Sequence, residues 1–333
     1  MNGQHVKNRH RLLCAGGLCL LLLAFSLSLL VGKYPLSLAQ MLAGNAMHIR
    51  IFLTLRLPRS LMAVLGGFGL GAAGYVFQTV FRNPLAAPDM IGVSSGASAG
   101  AAFAILFLPA TAVSVTLSAF AGGLLAVGIA LGLASLARDR GSGSIVLAGI
   151  AVHAMAQTAL MALKLAADPE RQLASIEYWI MGSLSAITLR QIPFYCLICV
   201  IGLAGIFLLH RQIVLLSVEE AEARMLGVPV GRMRLLILIL ATFVVASVIS
   251  VTGVISFIGL LAPHIARMLA RENRPSTLLL SGLLGGLLLT AADILARSVA
   301  SSELPVSIFT SLLGAPFLLY LILKGKESGR RDA

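Results

Sequence analysis

The only dense group of acidic side chains in the sequence is the segment 217–228, SVEEAEARMLGV. Glu219, Glu220 and Glu222 stand close together in a chain that is otherwise apolar and basic. The segment is too short and too polar to cross a bilayer, which needs about 20 apolar residues. We therefore interpret 217–228 as a rigid, charged element in a loop. A force applied to this element would move the rest of the chain.

The same segment carries the start and stop signals of a complete short helix. Ser217 followed by Glu220 is the pattern of a capping box, in which two side chains satisfy free amides at a helix N-terminus. Gly227 is typical of the left-handed residue after a helix, and Pro229 prevents continuation. These signals predict about nine helical residues, roughly 14 Å in length.

Asp293 is the clearest acid inside an apolar span, and Arg297 follows it one helical turn later. Residues at this spacing share a helix face, so the two predict an ion pair near the outer edge of the span. An intramembrane acid is also a candidate functional group. One acid does not make a proton relay, which argues against an ion-coupled secondary transporter.

A second polar set lies in the apolar stretch 144–166. Gly149, His153, Gln157 and Lys164 recur at spacings that place them roughly on one helix face. Such a stripe predicts either the lining of a water-filled path or hydrogen bonds between helices, and the spacing does not decide between them.

Motifs for catalysis or metal binding are absent from the sequence. His264 lacks the HxxxH or HxxE partners of a metal site, and no Gly-x-Ser-x-Gly elbow provides a nucleophile. Gly325-Lys326 lacks the other residues of a Walker A motif. A membrane-embedded enzyme is therefore disfavoured. We predict no metal or cofactor bound by this chain, and a partner chain must bind any ATP and Mg²⁺.

Composition predicts the fold class. The chain is 58% hydrophobic and 11% charged, with a mean hydropathy of +0.96, whereas soluble domains are about a quarter charged. Recurrent apolar runs predict an all-α polytopic membrane protein with about ten transmembrane helices. We predict one transmembrane domain over 1–333, with spans at about 12–31, 60–80, 90–108, 112–136, 144–166, 191–209, 234–252, 255–270, 277–299 and 306–324.

The net charge of +12 is explained by basic loops rather than by nucleic acid. With the N-terminus inside, roughly two thirds of the Lys and Arg residues fall on the inner side, as the positive-inside rule requires. This arrangement predicts that both termini and the helix in 217–228 are cytoplasmic.

Glycine spacing predicts close helix packing. Separately, a weakly repeated sequence pattern relates the two halves of the chain. Gly67 with Gly71, and Gly96 with Gly100, have the spacing that lets helix backbones approach closely. The repeated pattern consists of Gly74 and Phe77 before Pro84 in the first half, and of Gly253 and Phe257 before Pro263 in the second. The first set ends a span running inward and the second follows one running outward, which predicts a weak inverted repeat.

Short motifs recur in order through both halves. They are Arg56-Leu57-Pro58-Arg59, Arg82-Asn83-Pro84-Leu85-Ala86, Gly92-Val93-Ser94-Ser95-Gly96, Leu226-Gly227-Val228, Phe257-Ile258-Gly259-Leu260 with Pro263-His264, Ala292-Asp293 with Arg297, Glu303-Leu304-Pro305 and Leu313-Gly314-Ala315-Pro316. Over about residues 33 to 324 the chain resembles the FecCD-type permeases of binding-protein-dependent ABC importers for iron-siderophores, heme and cobalamin.

The resemblance implies a fold and a set of partners. It implies a type II ABC importer permease in a bacterial inner membrane, paired with an identical or sister permease subunit. Two ABC ATPase subunits would dock on the cytoplasmic side, and a periplasmic or lipoprotein substrate-binding protein would dock on the other. An iron chelate is the expected cargo. Heme, cobalamin or an oxyanion such as molybdate, and a stand-alone secondary transporter, are the alternatives.

The resemblance also implies roles for individual residues. The segment 217–228 would be the coupling helix, with contacts to the ATPase from Ser217, Glu219, Glu220, Glu222, Arg224, Leu226 and Gly227. Arg56, Arg59 and Arg297 would be the external cations that meet carboxylates of the binding protein. The pathway and its gate would include Ser142, Gly143, Ser144, Gly149, His153 and Gln157.

Overall fold

The computed structural model describes residues 3–32, 34–109, 111–137, 141–189, 192–271, 273–300 and 303–331, and within these ranges the regular structure is helical. The α-helices, in chain order, are α1 (Gly3–Leu30), α2 (Leu38–Leu42), α3 (Ala46–Ile51), α4 (Leu57–Val80), α5 (Val93–Phe107), α6 (Ala112–Leu136), α7 (Ser142–Ala166), α8 (Gln172–Ile180), α9 (Ile192–Leu208), α10 (His210–Leu215), α11 (Glu220–Met225), α12 (Val230–Thr252), α13 (Ile258–Ala270), α14 (Pro275–Ser298) and α15 (Val306–Arg331).

Ten of these helices follow the ten predicted spans in order, within the described part of the chain. Six stretches are long and apolar enough to cross a membrane: α1, the continuous helix Ala46–Val80, α6, α7, α12 and α14. Shorter apolar helices lie in α5, α9, α13 and α15. The predicted all-α, multi-span fold is therefore confirmed. The second span starts earlier than predicted because a π-helical turn, Phe52–Arg56, joins α3 to α4 without a break.

Two of the short helices, α5 and α13, begin where the chain has turned back into the bundle. Gly92 precedes α5 at φ +83° and Phe257 precedes α13 at φ +67°, so both helices follow a left-handed residue. The backbone of Gly259 packs against Leu70 in the middle of α4 and against the ring of Pro88, just before α5. The starts of the two short helices therefore meet inside the protein.

This arrangement gives the two halves matching units. The unit α4–α5 and the unit α12–α13 each consist of a long helix, a non-helical return and a short helix. In the order of the predicted spans α4 is the second and α12 the seventh, so the two would cross in opposite directions, which is the relation of an inverted repeat. The glycines that first indicated the repeat are not equivalent, because Gly74 lies within α4 whereas Gly253 ends α12.

Glycines bring the central helices into backbone contact, as their spacing predicts. A β-carbon at Gly67 would lie 2.3 Å from the carbonyl oxygen of Gly285 on α14, and one at Gly71 would lie 2.2 Å from that of Ser281. The same relation joins α5 to α6, where a β-carbon at Gly96 would lie 2.5 Å from a carbonyl oxygen of α6. The helix α4 is thus the buried centre of the bundle.

Candidate functional site

The acidic segment 217–228 contains one short helix, α11, and the preceding helix, α10, ends before the segment at Leu215. Gly227, at φ +80°, ends α11 in a Schellman motif: its amide donates to Arg224 O, and the amide of Val228 donates to Ala223 O. This C-terminal stop was predicted. The predicted capping box was wrong, because Ser217 Oγ donates to Val214 O at the end of α10. Helix α11 begins at Glu220, which leaves it shorter than predicted.

Glu220 holds α11 against the long helix α12. Its Oε2 accepts a hydrogen bond from Arg234 Nη2 at 3.1 Å, and its Oε1 accepts one from Arg224 Nη2 at 2.8 Å. Partial burial disfavours the charged carboxylate, but the hydrogen bonds and charges of Arg234 and Arg224 outweigh that effect and hold the pKa of Glu220 below its ordinary value. Glu220 is therefore an internal anchor of the segment.

The opposite side of α11 is exposed. Ala223 is buried against the protein, whereas Glu219 and Glu222 face outward. The side chains beyond them are apolar yet exposed: Met225 is 80% exposed and Leu226 is 63% exposed. Two acids and two large apolar side chains therefore share one exposed surface of the helix. Our sequence reasoning missed Met225, although its place one turn after Glu222 puts it on the same face.

A buried charge cluster joins α4, α14 and the residues before α15. Arg59 Nε donates to Asp293 Oδ1 at 2.8 Å, and Arg59 Nη1 donates to Glu303 Oε2 at 2.8 Å. Arg297 Nη2 lies 3.1 Å from Asp293 Oδ2, so the predicted pair of Asp293 and Arg297 is confirmed. Asp293 is completely buried between two guanidinium groups.

Arg56 lies beside this cluster and is held by backbone groups. It donates to the carbonyl oxygens of Val31 and Tyr34, and it is buried, as are Arg59 and Arg297. The three arginines line a cavity of about 160 Å³. Each of the three guanidinium groups therefore already has partners within the chain. Their contact with a binding protein stays a prediction.

The predicted gate and pathway residues lie on α7. Gly141 is the N-cap of this helix, so Ser142, Gly143 and Ser144 form its first turn. Gly149 does not share an open face with the polar residues that follow it: a β-carbon there would lie 2.3 Å from Met90 O. It is a packing residue. The roles of the other residues, His153 and Gln157 included, stay predictions.

The starts of the short helices, together with residues of α4 and α12, line a cavity of about 210 Å³. Asp89 lines it and accepts a hydrogen bond from Ser94 Oγ in the first turn of α5. The backbone of His153 approaches Gly92 from α7. Our sequence reasoning missed Asp89. The available signal was an acid placed between Pro88 and a helix-starting glycine, the only charged residue between Arg82 and Arg138.

Lys164 and Glu177 connect α7 to the surface helix α8. Their Nζ and Oε1 atoms lie 2.9 Å apart, and both side chains are partly exposed. Lys164 therefore pairs with a carboxylate beyond its own helix rather than extending a polar stripe along it.

Sequence and structural relatives agree on one family. The profile of the FecCD transport family matches residues 20–324. An iron chelatin transport system permease protein of Helicobacter pylori is 39% identical over 82% of each chain, and the molybdate import permease MolB of Haemophilus influenzae is 32% identical over 95% of this chain and 97% of its own. A solved metal-chelate type ABC transporter, in an inward-facing conformation, superposes with a TM-score of 0.84 at 32% identity, covering 95% of this chain and 99% of that one. The chain therefore belongs to the FecCD transport family.

Proposed function

We propose that this permease carries an iron chelate across a bacterial inner membrane, using ATP bound and hydrolysed by partner subunits. Two ATPase subunits would supply the ATP and Mg²⁺ chemistry, a substrate-binding protein would deliver the chelate, and a second permease subunit would complete the pathway. Both termini and α11 would lie on the cytoplasmic side. The family and the iron chelatin and metal-chelate relatives support this reading.

The observation that carries the proposal is the construction of α11. A coupling element has to transmit a displacement, so it must be stiff and joined to a transmembrane helix. The Schellman motif fixes one end of α11, and the hydrogen bond between Glu220 and Arg234 joins it to α12. Its outward face, with Met225 and Leu226 exposed, is free to enter a cleft of the ATPase.

The buried arginines suit a docking site of modest charge. In the group of Arg56, Arg59 and Arg297 with Asp293 and Glu303, cations outnumber carboxylates by one. Glu303 is the half-exposed member, with its side chain 36% accessible. An acidic side chain of a binding protein can approach this group from the cavity mouth. The attraction would act over roughly 8–10 Å at physiological salt.

The experiment is reconstitution of the permease with its ATPase and binding protein in proteoliposomes. Ferric siderophores, hemin, cobalamin and molybdate would be supplied in turn, and both uptake and ATP hydrolysis would be measured. We expect uptake only with ATP, and the greatest stimulation of hydrolysis by a ferric siderophore. Uptake by the permease alone would contradict the ABC mechanism. Greatest stimulation of ATP hydrolysis by a different ligand would change only the identity of the transported substrate and not the mechanism.

A further inference from the structure

A groove runs along the surface of the bundle between α6 and α12. It consists of two adjoining cavities of about 380 Å³ and about 270 Å³ that share Leu131, Ser135 and Leu235. Because the shared residues line both cavities, we treat the two as one continuous α6–α12 groove. Neither cavity touches α11, the charge cluster or the central cavity at Asp89.

The groove is open because α6 has glycines where side chains would fill it. A β-carbon at Gly128 or Gly132 would meet no atom within 4 Å, and both glycines are exposed. The facing wall is apolar and includes Leu235 and Ile239 of α12. These glycines differ from those of α4, which bring backbones into contact. Here the missing side chains leave a channel that suits a hydrocarbon chain.

The length of the groove corresponds to one leaflet. Phe243 of α12 lines one end, and its ring packs against that of Phe120 of α6, with centroids 6.1 Å apart. Arg232 and Arg234 line the other end. The axial distance from Arg234 to Phe243 is roughly 14 Å at 1.5 Å per residue. A bilayer has a hydrocarbon core of about 30 Å, so the groove spans about half of it.

The open end carries positive charge. Two guanidinium groups line it, and the described residues of both cavities include no carboxylate. Arg232 is exposed, whereas Arg234 is buried and donates a hydrogen bond through Nη2 to Glu220 of α11. Guanidinium groups at the membrane edge recognise phosphate groups, and basic pockets between transmembrane helices bind anionic lipid head groups.

We propose that the α6–α12 groove binds one anionic phospholipid. Its phosphate lies at Arg232 and Arg234, and one acyl chain lies over Gly128 and Gly132. The head group is at the membrane face that carries α11. Because Arg234 also bonds Glu220, the lipid phosphate and the coupling segment share one guanidinium group. The site does not depend on which substrate is carried.

The test is native mass spectrometry of the full-length permease, titrated with phosphatidylglycerol or with phosphatidylcholine. We expect one tightly retained phosphatidylglycerol per chain. Substitution Arg232→Gln should weaken that binding about fivefold, which is the effect of one basic residue near a membrane surface. The matched control is Arg211→Gln, which removes an exposed arginine from α10 and should leave the binding unchanged.

A second pair of variants tests the acyl-chain channel. Gly128→Leu combined with Gly132→Leu should abolish the retained lipid, because the leucines fill the groove. The matched control is Gly16→Leu on α1, where a β-carbon also meets nothing within 4 Å. It should behave as the unmodified protein. If the double variant does not fold, the arginine pair of variants decides the question alone.

Three outcomes would overturn the proposal. Equal retention of the two lipids would show an unselective surface. Displacement of phosphatidylglycerol by millimolar inorganic phosphate would show a site for a free anion rather than a lipid. Loss of the permease dimer, rather than of lipid, in the double leucine variant would show that the groove is filled by a second copy of the chain.

Discussion

Glu220 and Arg234 join the short helix α11 to the first turns of the transmembrane helix α12, with Oε2 and Nη2 3.1 Å apart. The side chain of Arg234 is almost fully buried, whereas that of Glu220 is partly accessible. The carboxylate therefore brings a surface helix onto a guanidinium group that belongs to the membrane domain. A force applied to α11 reaches α12 through this pair as well as through the connecting backbone.

Replacement Glu220→Gln should loosen α11. The amide keeps the shape of the side chain but removes the charge opposite Arg234, and we expect a loss of about 1–2 kcal/mol in stability. Hydrolysis by the assembled importer should become less dependent on substrate, because the displacement is transmitted less faithfully. Thermal unfolding of the purified permease and stimulated ATP hydrolysis of the complex measure the two effects. Unchanged values in both would contradict the anchoring role.

The same pair predicts a dependence on acid pH. The pKa of Glu220 in the folded protein is lowered, so its stabilising contribution is present above the pKa of an unfolded glutamate, about 4.3, and is lost as the pH falls through the lower folded value. The difference in Tm between the unmodified permease and Glu220→Gln should therefore shrink as the pH falls from 6 to about 3. A difference that grows in acid would show the opposite sign.

Substitutions on the outward face of α11 should affect assembly without affecting the permease itself. Glu219→Gln with Glu222→Gln, or Met225→Ala alone, should weaken ATPase binding by about tenfold, since exposed anchors at an interface commonly contribute more than 1 kcal/mol. The Tm of the isolated permease should stay the same, because these side chains make few internal contacts. Co-purification and surface plasmon resonance with the ATPase measure the effect. Normal affinity in both variants would remove α11 from the interface.

Asp293 and Glu303 should differ sharply in their importance for folding. Asp293→Asn leaves Arg59 and Arg297 buried without their shared carboxylate, and should cost about 3–5 kcal/mol. Glu303→Gln removes a half-exposed partner of Arg59 and should cost less than about 1 kcal/mol. Thermal unfolding of the two variants side by side tests this order. Equal losses would mean that Asp293 is not the centre of the cluster.

Gly227 and Gly231 form a matched pair that isolates backbone conformation. A β-carbon meets nothing within 4 Å at either position, but Gly227 has φ +80° whereas Gly231 lies in α12. Gly227→Ala should therefore cost about 1–2 kcal/mol, and Gly231→Ala should be neutral or stabilising by up to about 1 kcal/mol. Thermal unfolding and the helical circular dichroism signal distinguish the two. A destabilised Gly231→Ala variant would show that the cost of a substitution is set by the space around the β-carbon and not by the backbone angle φ.

The sequence was sufficient where the determining contact is local. The stop at Gly227 and the pair of Asp293 with Arg297 depend on residues within about one helical turn, so their spacing predicted them. Ser217 failed for a local reason as well: the end of α10 offers the carbonyl oxygen of Val214, which the hydroxyl uses instead of capping α11.

Contacts between residues that are far apart in the sequence could not be predicted from residue spacing. Arg59 and Asp293 are 234 residues apart, and only the packing of α4 on α14 brings them together. That contact makes Arg59 a buried member of an ion-pair cluster with Arg297, whereas Arg56 beside it is held by backbone carbonyl oxygens. Asp89 was missed for a similar reason, since its cavity exists only where the starts of α5 and α13 meet.

The glycine contact between α4 and α14 limits how an importer of this design can move. With the backbone of Gly67 against that of Gly285, the two helices cannot slide past one another unless their backbones first move apart. Helices α4 and α14 should therefore move together as one rigid unit in every conformation of the transport cycle. Changes of access must then take place around these two helices, for example at α15, which presents exposed apolar side chains such as Leu312 and Leu319.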